Sequence, residues 1–461
     1  MKICSIYIKG FQQFQDTFLD FTHPDTGMPL DKICFIGRNG TGKSTILNII
    51  KEFLQKQIFK VKDLDDNAPI IIIKVFLNNT FYNIVPNYYK KISNTYSSQK
   101  PALLLKDAIN YNDLKYLENL KYNDLVKSFS KIQLNPDEVE SLIKSIKLEN
   151  NSDDLLIFSP SESQQNTYLT VKDVPQTNVN EALGYFNNMP IYHEVSDQNV
   201  REFWKMLVFL MKKRDSEQQI FENAPENLQK TKQQLLEEFE KINPKILDKL
   251  AALWNKILAK AGLVFDIQNA NNPIQLNDNL KAYIKHKASG EKIEYNQLST
   301  GIRNFIFRIG HIYTLYFNRT VENGFLLIDE PENSLFPDFL FELMEIYESI
   351  VIDKNRQNNT QIFMATHNPI VAAQFEPYER IILEWNEAGA VKAFKGKTPV
   401  GDDPNDILKN DFGLLQLMGK KGQEVWNNYL QLKKELRTSK NGEKDALVEK
   451  ITKIGSAYNF E

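Results

Sequence analysis

The stretch KICFIGRNGTGKSTILNIIKEFL, residues 32–54, decides the fold of this chain. The apolar run Ile33–Ile36 predicts a buried strand, and apolar residues at helical spacing predict a helix from about Ser44 to Lys60. Between the two, Gly37–Ser44 matches the pattern G-x4-G-K-[ST] in its expected strand-to-helix context. Its glycines let consecutive backbone N–H groups point into one concavity, and the helix N-terminus adds about half a positive charge. The loop therefore predicts a binding site for phosphate groups.

The residues of this loop have distinct expected roles toward a nucleoside triphosphate. Lys43 is expected to reach the β- and γ-phosphates, and the hydroxyl of Ser44 is expected to coordinate Mg²⁺. Backbone N–H groups of the loop are expected to surround the phosphates. The predicted nucleotide-binding residues are Gly37, Arg38, Asn39, Gly40, Thr41, Gly42, Lys43, Ser44 and Thr45.

Two adjacent carboxylates follow a second apolar run, in GFLLIDEPENSLFP. The run Phe325–Ile328 predicts a buried strand that delivers Asp329 and Glu330 to its carboxyl end, where ligands of open parallel sheets bind. Two carboxylates in that position repel each other unless a cation lies beside them. Asp329 is the candidate partner of Mg²⁺, through water, and Glu330 is the candidate base that orients the attacking water.

A histidine ends a third apolar run, in FMATHNP. His367 follows the predicted strand Ile362–Ala365, and this position makes it a candidate sensor of the γ-phosphate. A lone histidine is more often structural than catalytic, so the prediction depends on the strand before it. The remaining histidines show no metal-ligand spacing and are expected to be structural or exposed: His23, His193, His286 and His311.

The segment LSTG, Leu298–Gly301, predicts by itself only a helix N-cap followed by an amphipathic helix. Its place in the chain changes that interpretation. The set GRNGTGKST, LSTGIRN, LLIDEPENSLFP and MATHNP, in that order, resembles the Walker A, signature, Walker B with D-loop, and switch histidine of ABC-type ATPases. The N-terminal ICSIYIKGFQQFQDTFLDF resembles the SMC, RecF and OLD-like branch of these ATPases rather than the transporter branch.

The resemblance implies ATP and Mg²⁺ as ligands and a site shared between two copies of the chain. In this family the signature of one subunit closes over the nucleotide held by another. Ser299, Thr300 and Gly301 are therefore expected to contact the γ-phosphate that Lys43 of a partner chain binds, in a homodimer around two ATP molecules. Gln164 and Gln165 are the candidates for the family's glutamine loop, and adenine is expected near Lys9–Phe14 by the same analogy.

The alternation of predicted strands and helices indicates an α/β fold. We expect an ABC-type ATPase head with a mainly parallel sheet flanked by helices and an antiparallel N-terminal β part. The ATPase domain is expected to span residues 1–101 and 263–402. Residues 102–262 are expected to form a helical insertion, and residues 403–461 a C-terminal helical region.

Composition narrows the class of protein. Hydrophobic residues make up 42% of the chain and charged residues 25%, which is typical of a soluble globular protein. A net charge of −3 argues against a protein that binds nucleic acid with its whole surface. Without an apolar run of about 20 residues or a signal peptide, the chain is expected in the cytoplasm and away from membranes. Cys4 and Cys34 lie in strand-like runs and are expected to be buried free thiols.

The size and layout resemble standalone ATPase components of anti-phage systems such as Septu, PARIS and the Gabija-like group. That resemblance implies a sensor or scaffold with a separate nuclease effector chain and a trigger that comes from DNA or phage. It also implies at least a homodimer, and an assembly of several such dimers stays an alternative. The alternative is a RecF-like DNA-repair ATPase that clamps DNA when ATP binds. A transporter motor is disfavoured because the 253 residues 45–297 exceed what such a subunit needs.

Overall fold

The computed structural model describes residues 1–55, 58–61, 68–85, 87–92, 95–97, 103–106, 153–161, 190–196, 200–266, 284–293, 297–317, 319–353, 355–400, 403–414, 418–439, 444–458 and 460. The chain divides into two compact units, Met1–Asp402 and Asp403–Glu461.

Among the described residues, the part of the first unit before residue 200 contains strands and one helix, and the other helices begin at Val200 or later. The strands, numbered along the chain, are β1 (Lys2–Lys9), β2 (Thr17–Asp20), β3 (Lys32–Gly37), β4 (Ile58–Val61), β5 (Ile70–Leu77), β6 (Thr80–Val85), β7 (Asn87–Ile92), β8 (Thr95–Ser97), β9 (Leu103–Lys106), β10 (Asp154–Ser159), β11 (Tyr192–Glu194), β12 (Leu263–Phe265), β13 (Ile284–His286), β14 (Lys292–Ile293), β15 (Asn323–Asp329), β16 (Thr360–Thr366), β17 (Arg380–Trp385) and β18 (Val391–Lys395). The helices are α1 (Lys43–Gln55), α2 (Val200–Glu222), α3 (Lys232–Ile242), α4 (Ile246–Leu258), α5 (Thr300–Tyr316), α6 (Pro337–Leu340), α7 (Leu343–Ile350), α8 (Pro369–Ala372), α9 (Pro404–Asn410), α10 (Lys420–Thr438) and α11 (Lys444–Tyr458).

The centre of the first unit is a sheet with the strand order β11-β10-β15-β16-β3-β17-β18. Neighbouring strands run parallel from β11 to β17, and the edge strand β18 pairs antiparallel with β17. The predicted strands Phe325–Ile328 and Ile362–Ala365 are confirmed, and every side chain in them is at most 2% exposed. Because parallel strands end at a common edge, the residues that follow β3, β15 and β16 lie at the same edge of the sheet.

A second, antiparallel sheet has the strand order β2-β1-β5-β6-β9 and confirms the expected N-terminal β part. Its apolar side chains join the central sheet in one hydrophobic core. The ring centroid of Phe21 lies 5.8 Å from that of Phe35 and 5.4 Å from that of Phe363, in edge-to-face geometry. Such pairs contribute about 0.5–1.5 kcal/mol each beyond the burial of their surface.

A buried amide connects β1 with the central sheet. Gln361, on β16, is fully buried. Its side-chain oxygen accepts the N–H of Ile3 at 2.8 Å, and its nitrogen donates to the carbonyl oxygens of Ile3 and Leu30, each at 2.8 Å. Satisfying every polar atom of a buried side chain avoids a cost of about 1–3 kcal/mol. The apolar run of β16 does not reveal this role.

The long helix α5 packs against α2 and α4 through small and aromatic residues. The indole N–H of Trp254 donates to the carbonyl oxygen of Ile306 at 3.0 Å. A Cβ atom added to Gly310 would lie 2.9 Å from the rings of both Phe203 and Trp254. The glycine therefore lets the three helices approach closely in the second half of α5.

Two expectations from the sequence are wrong in detail. Residues 102–262 are not wholly helical, because β9 pairs with β6 and β10 lies inside the central sheet between β11 and β15. Four apolar residues in DLLIFS fit a buried strand and a helix equally well by periodicity, and pairing with β15 decides for the strand. Helix α1 ends at Gln55 instead of near Lys60, since Ile58–Val61 pairs with β7.

The second unit, Asp403–Glu461, contains α9, α10 and α11, and the described part of it bears out the expected helices. Helices α10 and α11 pack together around Tyr429, which is 4% exposed. The ring centroid of Trp426 lies 4.8 Å from that of Phe460.

Two general expectations can also be compared with the structure. Cys4 and Cys34 are buried and free, as predicted. None of the helices in the described ranges combines the length and the apolar character that crossing a bilayer requires.

Candidate functional site

The predicted phosphate-binding loop lies between β3 and α1. Its tip is exposed, whereas the side chain of Thr41 is buried and donates its hydroxyl to the carbonyl oxygen of Arg38 at 2.8 Å. The ammonium of Lys43 is also buried and donates to the carbonyl oxygens of Gly37 at 2.8 Å and Arg38 at 3.4 Å. The ammonium of Lys43 thus donates its hydrogen bonds to carbonyl oxygens of the loop, in place of the phosphate oxygens that it is expected to bind. Burial lowers the pKa of Lys43, and the charge of Glu330 acts in the opposite direction.

Glycine is required at one position of the loop by close packing. Gly42 has a φ of +97°, a left-handed conformation that side chains rarely adopt. A Cβ atom there would lie 2.1 Å from the side-chain nitrogen of Gln13 and 2.5 Å from the ring of Phe14. The segment after β1 therefore lies directly against the loop, and the side-chain oxygen of Gln12 is 3.4 Å from the hydroxyl of Thr45. The expected adenine contact in this segment stays a prediction.

Asp329 lies at the carboxyl end of β15 and faces the start of α1. It is buried, and its carboxylate forms a side-chain hydrogen bond with Ser44. Its Oδ1 atom has no hydrogen-bond partner within the described ranges. Burial raises the pKa of Asp329, while the hydrogen bond from Ser44 lowers it. A buried carboxylate oxygen without a partner beside a hydroxyl is an oxygen pair that Mg²⁺ accepts as ligands, directly or through water, so these residues fit the expected metal.

Glu330 has a left-handed backbone, with φ of +45°, which is uncommon for a residue with a side chain and costs about 1–2 kcal/mol. Its N–H donates to the carbonyl oxygen of Ala365 at 2.8 Å, so the strand pairing continues one residue beyond Asp329. Its carboxylate oxygen Oε1 lies 3.3 Å from Nδ1 of His367, and Oε2 accepts from the side-chain amide of Asn333 at 3.2 Å. The carboxylate of Glu330 is therefore held in one orientation at the sheet edge.

Glu332 has a role that sequence reasoning missed. Its carboxylate is buried, and Oε1 accepts the hydroxyl of Thr366 at 2.5 Å and the N–H of His367 at 3.0 Å. Nδ1 of His367 lies 3.4 Å from the same oxygen, and the histidine side chain is about half exposed, at 48%. Glu332 thus fixes the end of β16 and places His367 beside Glu330. The signal in the sequence was a third carboxylate within four residues of Asp329.

The predicted signature segment begins α5. Ser299 is the N-cap, and its side-chain oxygen accepts the N–H of Ile302 at 3.4 Å. Ser299 and Thr300 are exposed, and the N-terminus of a helix carries N–H groups that have no partner within the helix. Gly301 is buried, and a Cβ atom there would lie 1.9 Å from the carbonyl oxygen of Ser334, in the segment after Glu330.

A comparison with known families identifies the chain. Residues 1–372 match the family described as AAA ATPase domain. The chain belongs to this AAA ATPase domain family. Chains of the family hydrolyse ATP, and this AAA ATPase domain therefore contains an ATP-hydrolysing site.

Comparisons with solved structures and with curated proteins are less informative about this chain than the family match. This AAA ATPase is similar to the SMC head domain from Thermotoga maritima, with 11% identity, a TM-score of 0.39, and coverage of 86% of this chain and 100% of that one. It is also similar to an SmcHead bound to the C-winged helix domain of ScpA, with 10% identity, a TM-score of 0.40, and coverage of 87% and 98%. No curated protein sequence matches it.

The sites predicted in this AAA ATPase fall into three groups. The loop 37–45, Asp329, Glu330 and His367 meet at one sheet edge through the contacts given above. Ser299–Gly301 lies on the exposed start of α5, against the segment that follows Glu330. Gln164 and Gln165 lie outside the described residues.

The other histidines agree with their expected structural or exposed positions. Burial lowers the pKa of His193 to about 4 and that of His311 to about 3. His286 is exposed, and the ring centroid of His23 lies 4.7 Å from that of Tyr378.

Proposed function

We propose that this chain is a Mg²⁺-dependent ATPase whose two active sites are each completed by a second copy of the chain. The observation that carries the proposal is the convergence of Lys43, Ser44 and Asp329, together with Glu330 and His367, at the common carboxyl edge of β3, β15 and β16. Phosphate binding, metal binding and a carboxylate base are the three components that phosphoryl transfer to water requires.

Each residue has a proposed role that follows from its position. Lys43 exchanges its bonds to the loop carbonyls for bonds to the β- and γ-phosphates, which are stronger because both partners are charged. Ser44 and Asp329 hold Mg²⁺, which neutralises phosphate charge when it is bound. Glu330 orients the attacking water and accepts its proton, and His367 contacts the γ-phosphate.

The second copy is proposed because α5 begins with an exposed N-terminus, where N–H groups without partners in the helix favour an anion. Ser299, Thr300 and the N–H of Gly301 are expected to close over the γ-phosphate held by Lys43 of the partner chain, in a head-to-tail pair around two ATP molecules. A larger oligomer built from such pairs is compatible with this arrangement. Glu330→Gln should bind ATP without hydrolysing it and should accumulate as a dimer, measured by light scattering.

A mixing experiment tests the shared site directly. Lys43→Ala destroys the phosphate loop and Ser299→Arg blocks the signature, so each variant alone should be inactive. In an equal mixture about half of the dimers contain one chain of each kind, and each mixed dimer has one intact site, so about a quarter of wild-type activity should return. No activity in a mixture shown to exchange subunits would contradict a site shared between chains. Mixing Lys43→Ala with itself is the matched control.

We further propose that the ATPase acts in defence against phage and holds a separate nuclease chain. The order of the sequence motifs and the size of the chain support this role by resemblance. Expression with the neighbouring genes should lower phage plating, and Lys43→Ala should abolish the protection. Co-purification should recover a nuclease chain.

The alternative function, a DNA clamp, predicts a different experimental result. It requires DNA binding that depends on ATP and weakens steeply with salt, because phosphate contacts release counterions. Protection against phage together with no ATP-dependent DNA binding at low salt would leave the defence role. The reverse result would replace it with the clamp.

A further inference from the structure

We propose that Asn333 is a positioning residue that holds the carboxylate of Glu330 in its working orientation. This inference rests on the proposed role of Glu330 as the base. The side-chain amide nitrogen of Asn333 lies 3.2 Å from Oε2 of Glu330 and 3.1 Å from the carbonyl oxygen of Ser161. Both neighbours only accept hydrogen bonds, so the amide must direct its NH₂ group at both, one hydrogen to each.

The second acceptor is itself held in place. The guanidinium of Arg308, in the middle of α5, donates to the carbonyl oxygen of Ser161 at 3.1 Å and to that of Pro160 at 2.6 Å. Arg308 is buried, and it also lies 3.5 Å from the carbonyl oxygen of Glu330. The amide of Asn333 is therefore anchored between two elements, the segment after β10 and the helix that begins with the signature.

The carboxylate of Glu330 needs such an anchor. Its Oε1 faces His367, a side chain that is about half exposed and has its own proposed contact with phosphate. Asn333 is half-buried, and its amide connects Oε2 to the carbonyl oxygen of Ser161, which Arg308 also holds. The rate of hydrolysis falls steeply when the base rotates away from its water, since a displacement of about 1 Å can lower a reaction rate about 100-fold. Asn333 thus acts through Glu330, without a contact to substrate.

The proposal separates kcat from KM. Asn333→Ala removes both bonds, and Asn333→Asp places a carboxylate against the carboxylate of Glu330 and the carbonyl of Ser161. Both variants should lower kcat by at least about tenfold, with Asn333→Asp the slower enzyme, while KM for ATP stays within about twofold. The affinity for a non-hydrolysable ATP analogue, measured by calorimetry, should also be unchanged.

Asn359→Ala is the matched control. Asn359 is half-buried like Asn333 and donates its amide to the carbonyl oxygen of Val321 at 2.9 Å, but it precedes β16 at the end opposite to His367. Its kcat should equal that of the wild-type protein. The melting temperatures of all three variants are compared, so that a general loss of packing is recognised.

Four outcomes overturn or support the proposal. Wild-type kcat in Asn333→Asp, with Glu330→Gln inactive, overturns the role of Asn333 and leaves the proposed function intact. An equal loss of kcat and of ATP affinity in both Asn333 variants, with a lower melting temperature, overturns it in favour of a packing role. Wild-type hydrolysis in Glu330→Gln overturns the proposed base and the positioning role together, whereas a selective loss of kcat supports both.

Discussion

Gly301 and the carbonyl oxygen of Ser334 lie so close together that a Cβ atom on Gly301 would be 1.9 Å from that oxygen. The contact joins the first turn of α5 to the segment that follows Glu330. Within one chain, the exposed N-cap Ser299 therefore cannot move far without moving the backbone next to the carboxylate that contacts His367. Sequence reasoning placed the two motifs in order along the chain, and their contact is a result of folding.

Gly301→Ala tests this contact. The added methyl group must displace α5 or the Ser334 backbone, so we expect a loss of about 1–3 kcal/mol in unfolding free energy and a fall in ATP turnover. Denaturant unfolding and steady-state hydrolysis measure the two effects. Gly422→Ala, also in the first turn of a helix, is the control, because its Cβ atom would meet Met418 at an ordinary 3.6 Å. A Gly301→Ala protein as stable and active as wild type would contradict the tight contact.

Glu332→Ala should leave the hydroxyl of Thr366 and the N–H of His367 without their acceptor. We expect about 1–3 kcal/mol less stability and a lower kcat, because the end of β16 loses the group that places the histidine. Glu345→Ala removes an exposed glutamate paired with Lys256 and should cost at most about 1 kcal/mol. Unfolding curves that coincide for the two variants would argue against the role of Glu332.

Lys43→Ala should weaken ATP binding by about 10- to 100-fold, since a hydrogen bond to a charged group contributes about 1.5–3 kcal/mol. Calorimetry with Mg²⁺ and a non-hydrolysable analogue measures the change. Lys51→Ala is the control on the same helix, where the ammonium lies 4.5 Å from the ring centroid of Phe158. An unchanged affinity in Lys43→Ala would place the phosphates elsewhere.

His311 should make the fold sensitive to acid. Burial, followed by the charge of His193, lowers the pKa of His311 to about 3, against 6.5 in the unfolded chain. Between these values the unfolded state binds the proton and the folded state does not, so stability falls as pH falls below 6.5. The slope is about 1.4 kcal/mol per pH unit, or about 2 kcal/mol at pH 5.

Comparison with His311→Phe isolates this contribution from those of other groups. Relative to pH 7, the wild-type protein should lose about 2 kcal/mol more than His311→Phe at pH 5, measured by denaturant unfolding. His286→Gln, at an exposed position, should follow the wild-type curve. Parallel pH profiles for wild type and His311→Phe would show that His311 takes up its proton in the folded state.

Local patterns were sufficient to predict the elements that carry the site. The loop between β3 and α1, Asp329 and Glu330 after β15, and His367 after β16 all follow from apolar runs and the residues that end them. The same patterns misassigned β10, because a short apolar run does not distinguish a buried strand from a helix.

By itself, the sequence determined the α/β fold, the phosphate loop and which side chains end the central strands, because these depend on neighbours within a few residues. Only the tertiary structure decided that Glu332 holds His367 and that Asn333 joins Glu330 to Ser161. It also decided that Gly301 must lack a side chain because Ser334 lies against it. These contacts join residues up to 172 positions apart, as from Asn333 to Ser161. The order of strands in the sheet brings them together, and that order is set by the pairing of the whole chain.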